Sequence, residues 1–408
     1  FSCEPLFFAS VHRCQIHLRG EGVEGVQLPA IYIHQPPPKK CFLSDCLIRI
    51  CSYHLNIQIM KHFYLFLLIL IIGELEARRP DSHAPIMVMG DHMHSKGEFM
   101  ASYRFMKMNM DGMRSGTKQL SSADVFASNY TVTPTQMTMN MHMFGLMHAP
   151  RDSITLMGII PYRHLEMNHA IFKKASPLIA LNDGSTKFTT RSEGFGDLKL
   201  SSLIKINTVG TGRSHIQLGL SIPTGSVKKM DNIPGPGGRI ERQLPAPMQM
   251  GSGTYDLLAG ITYSNQKDGL SYGAQANSKV RLESKNCRGY QLGDQFKVLS
   301  WVSWLLSPNT SLSVTAYAKT ERKLSGMQEE VVLNPPFALD RRTVPTAFGE
   351  NYGGDQAGLS FGLNILNHGM GDQGHRLGLE LDIPLYRDLN GLQLGTDSTL
   401  MIGWQKSW

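Results

Sequence analysis

Methionine and histidine crowd one stretch of this chain, and they are the residues best suited to unusual chemistry. Fifteen of the 22 methionines fall between Met87 and Met167. Many stand beside histidine: Met87-Val88-Met89-Gly90-Asp91-His92-Met93-His94, then Met137-Thr138-Met139-Asn140-Met141-His142-Met143, then Met147-His148. Thioether sulfur is a soft ligand suited to Cu(I), whereas imidazole suits Cu(II), zinc or nickel. Asp91, His92, Met93 and His94, with His142 and His148, are therefore the candidate metal ligands, and copper is the candidate ion. The alternative is ordinary packing. Met137, Met139, Met141 and Met143 recur at every second position, so they share one face of a strand, and Thr138, Asn140 and His142 share the other. On that reading the methionines face lipid. A row of sulfurs spaced about 7 Å apart needs partners from other strands to hold one ion. His92 and His94, at i and i+2, can share an ion where the backbone turns.

A second set of candidates is charged. If the apolar face of each strand meets lipid, Asp197, Lys199, Lys205, Asp256, Lys279 and Arg281 face an interior. Glu283, Lys297, Arg376, Glu380 and Asp382 join them on the same parity. Both signs occur, so these groups either line a solute path or pair across a small lumen and fill it. No nucleophile elbow, His-Glu-x-x-His or phosphate-cradling glycine loop is present, which leaves a non-enzymatic protein as the expectation. The formal charge of +7 is scattered, with no basic stripe interleaved with aromatics, so nucleic acid is not an expected partner.

The elements that must carry these residues follow from a two-residue period. His215-Ile216-Gln217-Leu218-Gly219-Leu220-Ser221-Ile222 and Arg376-Leu377-Gly378-Leu379-Glu380-Leu381-Asp382-Ile383 each set an apolar face against a polar or tiny one. About twelve such strands are expected, near 97–110, 134–148, 153–167, 195–207, 214–224 and 253–265, then 269–284, 291–306, 310–321, 354–366, 375–386 and 391–408. Turn chemistry closes the short intervals, as in Ala149-Pro150-Arg151-Asp152, Val209-Gly210-Thr211-Gly212-Arg213, Gln266-Lys267-Asp268-Gly269 and Ser307-Pro308-Asn309. A looser turn follows at Asn367 to Asp372. Long intervals take turns with most of them, at 111–133, 168–194, 225–252 and 322–353, while two on that side are short, near Cys287 and at Arg387 to Asn390; the Pro/Gly run Asp231 to Gly238 lies in the third long one. Short turns on one side and long loops on the other are the habit of outer-membrane barrels. The expected fold class is therefore all-β, an antiparallel transmembrane β-barrel, occupying 97–408. Either long interval, 168–194 or 322–353, has room for a further hairpin.

The two ends differ from the rest. Five of the six cysteines lie in residues 1–59, which read as translated upstream sequence. Met60-Lys61-His62 and the apolar run Phe63 to Ile72 have the form of an export signal over 60–77, too short to span a bilayer as a helix. Residues 78–96 are expected to form a periplasmic tail or plug carrying the Met/His segment. Only Cys287 remains in the mature chain, so a hydrogen-bonded barrel replaces disulfides as the source of stability. At the other end Leu400, Ile402, Trp404 and Trp408 share a face. A terminal aromatic strand resembles the signal read by the outer-membrane assembly machinery, an expected partner beside the lipid bilayer. Phe99, Tyr103, Tyr162, Tyr255, Tyr263, Tyr272 and Trp304 fall near strand ends, where an interfacial girdle would lie.

Two passages carry a family resemblance. Gly194-Phe195-Gly196-Asp197-Leu198-Lys199-Leu200 and Leu218-Gly219-Leu220-Ser221-Ile222-Pro223-Thr224-Gly225 resemble the central hairpin of the outer-membrane family named for the MetA pathway of phenol degradation. The opening, Ala84 to Met100, looks like a Met/His-rich "transporter" branch of it, and the likeness covers most of 84–408. The resemblance implies an outer-membrane, porin-like channel for a small solute, hydrophobic or aromatic in character, and brings no residue-level mechanism. Two alternatives stand beside it: a soft-metal binding or export component, and a structural or adhesion barrel.

Overall fold

Parity decides the faces before anything else does. In Arg213–Ile222, Ile216, Leu218 and Leu220 stand exposed while His215 and Ser221 are buried. In the last strand Leu377, Leu379, Leu381 and Ile383 are exposed while Arg376 and Glu380 are buried. Apolar outside and polar inside reverses the order of a soluble core, and it is the order of a lipid-embedded barrel.

The structure is a computed structural model that describes Pro80 and residues 83–206, 212–235, 238–332, 341–367 and 375–408. Residues 1–59, expected to be upstream sequence, residues 60–77, expected to be an export signal, and parts of the turns expected after Ile206 and Asn367 lie outside these described residues. Eleven strands form the wall: β1 Phe99–Gly116, β2 Val132–Arg151, β3 Ile154–Ile171, β4 Leu198–Ile206, β5 Arg213–Ile222 and β6 Asp256–Lys267, then β7 Leu270–Arg281, β8 Gln295–Ser307, β9 Thr310–Glu321, β10 Gly354–Asn367 and β11 His375–Ser407. Each pairs antiparallel with its neighbour, and β11 returns to pair with β1, which closes the ring. Closure leaves no open edge for lipid to meet.

β11 has 33 residues, about 110 Å if extended, which is far longer than a single stave. Its first arm, up to Leu389, pairs with β10, and its second, from Leu389 on, pairs with β1. The reversal sits at Asp388 to Gly391, where Gly391 takes a positive φ of 57°. Ten straight strands and these two arms thus make the twelve staves that the alternation predicts.

Two further strands join the sheet outside the ring: Lys118–Leu120 on β1, and Lys187–Phe195 on the far half of β3. The latter continues the line of β4 across a break at Gly196 and Asp197. The long interval 168–194 therefore holds one strand rather than a hairpin. The hairpin lies in 225–252, as Met230–Gly235 paired with Gly238–Gln243. Among the described residues of the interval 322–353, the one strand is Ser325–Gly326, paired with Tyr290–Gln291. Tyr255, Tyr263, Tyr272 and Trp304 are exposed on the outer face, as a girdle requires.

Candidate functional site

The segment from His83 to Glu98 reaches residues all round the ring, which is possible only from inside it. The Met87 amide donates to Glu380 on β11 at 2.7 Å, and the His94 amide to Thr155 on β3 at 3.0 Å. His215 Nε2 on β5 lies 2.8 Å from the Gly90 carbonyl, and Gln275 on β7 donates to the Met89 carbonyl at 3.0 Å. Arg104 on β1 donates to the Ile86 carbonyl at 3.1 Å, and Arg376 donates to that of Ala84. The tail is irregular, so its backbone polar groups need wall partners, and inward side chains of several strands supply them.

Packing locks the same segment. Ile86 is 1% exposed and sits among Met100, Met143, Met147, Met157, Leu203 and Met401. Gly378 and Gly403 make room for it, since a Cβ on either would come within 2.8 and 2.5 Å of Ile86. The methionine row therefore turns the opposite way from the lipid-facing expectation. Met137, Met143 and Met147 are buried on the inner face of β2, while Phe144 and Leu146 hold the outer one. An internal segment with an apolar side chain such as Ile86 makes the inside of the ring the better place for thioethers.

Above the tail, toward the long loops, lies a cavity of about 510 Å³. The division of the wall is visible strand by strand. On β1 Arg104 holds the tail while Met108 and Met110 line the cavity; on β7 Gln275 holds the tail while Lys279 and Arg281 line the cavity. Met108, Met110, Met137 and Met167 line one side on β1 to β3, with Arg163 on β3 among them, and Lys199, Lys279, Arg281, Lys297 and Lys319 lie around the other on β4, β7, β8 and β9.

Of the charged candidates, Asp197, Lys199, Asp256, Lys279, Arg281, Lys297 and Asp382 border this cavity. Several carboxylates are already engaged. Asp256 pairs with Arg281, Lys319 with Glu321 at 2.8 Å, and Asp197 accepts from the amides of Gly225 and Ser252 at 3.0 and 2.8 Å. Asp197 thereby ties the inward-folded part of the 225–252 loop to the wall. Arg376 and Glu380 serve the tail instead. Lys205 and Glu283 are exposed and lie outside both groups, Glu283 accepting from the Tyr255 amide at 2.9 Å.

The metal candidates divide likewise. Asp91 and His92 meet in the tail, with His92 Nδ1 2.9 Å from Asp91 Oδ1. His94 Nδ1 faces Glu98 at 3.1 Å, and Met93 packs against the Ile86 cluster. His142 lies on the outer face, 2.8 Å from the Tyr103 hydroxyl, and His148 stacks on Phe99; neither joins the tail histidines. The partner that sequence spacing missed is His83, whose Nδ1 lies 3.4 Å from His92 Nδ1. A turn from Pro85 to Val88 and a positive φ of 63° at Gly90 fold the tail back and bring it there. Burial alone would raise the Asp91 carboxyl, but His92, His83 and Arg376 outweigh it and hold the group well below the usual carboxylate range.

Comparison with known proteins gives the fold. An outer membrane channel from Pseudomonas putida F1 superposes with a TM-score of 0.52 at 12% identity, over 79% of this chain and all of the other. The P. putida toluene transporter TodX gives 0.37 at 8% identity, over 77% of this chain and 91% of the other. The beta domain of the Bordetella autotransporter BrkA gives 0.38 at 9%, over 77% and 100%. The chain has the fold of an outer-membrane β-barrel. No protein-family model matches it, and no curated protein does.

Proposed function

We propose that this protein is an outer-membrane channel that takes up a small solute with an apolar or aromatic body and an acidic group. The observation that carries this reading is the two-sided cavity. Polarizable methionines on β1 to β3 suit an aliphatic or aromatic surface. Lys199 and Lys279, on the other side, border the same space, while the carboxylates that border it, Asp197, Asp256, Glu321 and Asp382, each have a hydrogen-bond or ion-pair partner in the wall or loop. A pocket of this size fits a ligand of one or two rings, and a few convergent polar groups fix its orientation. The MetA-pathway resemblance and the likeness to an outer membrane channel agree with the reading, and the aromatic character of the solute rests on the cavity itself. In this reading the tail is the plug that closes the periplasmic half, and the solute waits above it.

Uptake into proteoliposomes tests this. Benzoate and phenol are offered with glucose as a polar control, and the reading expects both aromatics to enter faster than glucose, benzoate faster than phenol. Equal rates for all three, or no flux of any, would overturn it.

A further inference from the structure

We infer that His83, Asp91 and His92 form a binding site for one borderline divalent transition-metal ion, of the zinc or copper(II) type, inside the barrel. Their ligand atoms lie within 4.8 Å of one another; His83 and Asp91 are buried and His92 is nearly so. Two nitrogens on one tetrahedral ion at about 2.0–2.1 Å must stand about 3.3 Å apart. The Nδ1 atoms of His83 and His92 are 3.4 Å apart, and Asp91 Oδ1 is 2.9 Å from His92 Nδ1. The first is the separation of two ligands on one such ion, and the second lets Asp91 reach the same place with a small shift. Without one, the His92 Nδ1 proton has two acceptors within reach and can serve only one of them well.

The surroundings support this. The Ala84 amide donates to the other Asp91 oxygen at 3.0 Å, which fixes the carboxylate in the way an outer hydrogen bond orients a metal ligand. His92 Nε2 is buried with no partner. An ion at Nδ1 would displace the proton that Asp91 accepts there, and the ring proton would then sit on Nε2. A small cavity of about 10 Å³, roughly the space of one water, opens beside His83 and Asp91 against Ser271 and Trp301. Two imidazoles and a carboxylate suit zinc or copper(II) better than Cu(I), whose thioether ligands lie instead in the Ile86 cluster. An ion here would staple His83 to the Asp91–His92 pair and hold the folded tail in the lumen.

Titration of the full refolded chain with Zn(II) and Cu(II) tests the site, and the expected result is one tightly bound equivalent. H83A and H92A are each expected to weaken binding by about 100-fold or more, since even an outer-shell loss costs about 10–100-fold. H142A, on the outer face, should leave it unchanged. The Cu(II) spectrum should show coupling to two imidazole nitrogens. A mass-spectrometric footprint of the unaltered chain needs no substitution: zinc should protect His83 and His92 from histidine modification but not His142. Binding that survives H83A and H92A together, or a footprint with no protection at these two, would overturn the assignment.

Discussion

The Met87 amide donates to the Glu380 carboxylate across 2.7 Å, joining positions 293 residues apart in the chain. One belongs to the irregular tail and the other to the wall, and Glu380 is fully buried at the contact. This bond, with those from Arg376, Arg104 and Gln275, holds the 83–98 segment against the inner face of the wall.

Replacing Glu380 with Ala should loosen the tail. A hydrogen bond to a charged group contributes about 1.5–3 kcal/mol, which corresponds to roughly 10–150-fold in the ratio of open to plugged channels. Single-channel recording in planar bilayers reads that ratio. An open probability equal to that of the parent would remove Glu380 from the anchorage.

Gly403→Val should open the channel by a different route. Its Cβ would stand 2.5 Å from Ile86, and overpacking of this kind costs about 1–3 kcal/mol. The tail is the softer partner and should yield. Gly158→Ala is the control, because its Cβ meets nothing closer than a Leu200 methyl at 3.5 Å. Conductance should rise for the first and stay at the parent level for the second.

Lys199→Gln and Lys279→Gln should slow benzoate uptake and spare phenol. Each removes a cation from the cavity that the carboxylate would meet, with an expected loss of about tenfold or more. Equal slowing of both solutes in the proteoliposome assay would assign the lysines to the wall's architecture rather than to recognition.

Leu379→Arg should destabilise the barrel in lipid. Leu379 is exposed on the outer face, and an arginine facing hydrocarbon costs about 2–4 kcal/mol near the midplane and less toward either interface. Urea unfolding in vesicles measures it. A change below 0.5 kcal/mol, on the order of an ordinary surface substitution, would place that face outside the bilayer.

Most of the wall was legible beforehand because a strand's period is two and a barrel has one greasy side. Leu218 and Leu379 stand where alternation puts them, and Asp256 and Arg281 face inward as parity requires. Strand ends were less legible. β1 runs to Gly116, past its expected end at Met110, because hydrogen bonding to a neighbour, rather than hydropathy, decides where a strand stops, whereas the reversal of β11 falls at the turn expected there. Lys205 and Glu283 share the parity of the lumen set yet lie exposed, since parity fixes a direction and not a depth.

By itself the amino-acid order determined the period, the turns and hence a closed antiparallel ring with lipid outside. It did not determine which face of Val132–Arg151 looks inward, since methionine is as content against a neighbour's side chain as against an acyl chain. Only the tertiary structure decided that, by laying Ile86 against Met143 and Met147 within the ring. The meeting of His83 with Asp91 and His92 was equally out of reach of spacing alone. A turn folds the tail back on itself, and long-range contacts such as Glu380 with Met87 hold it folded.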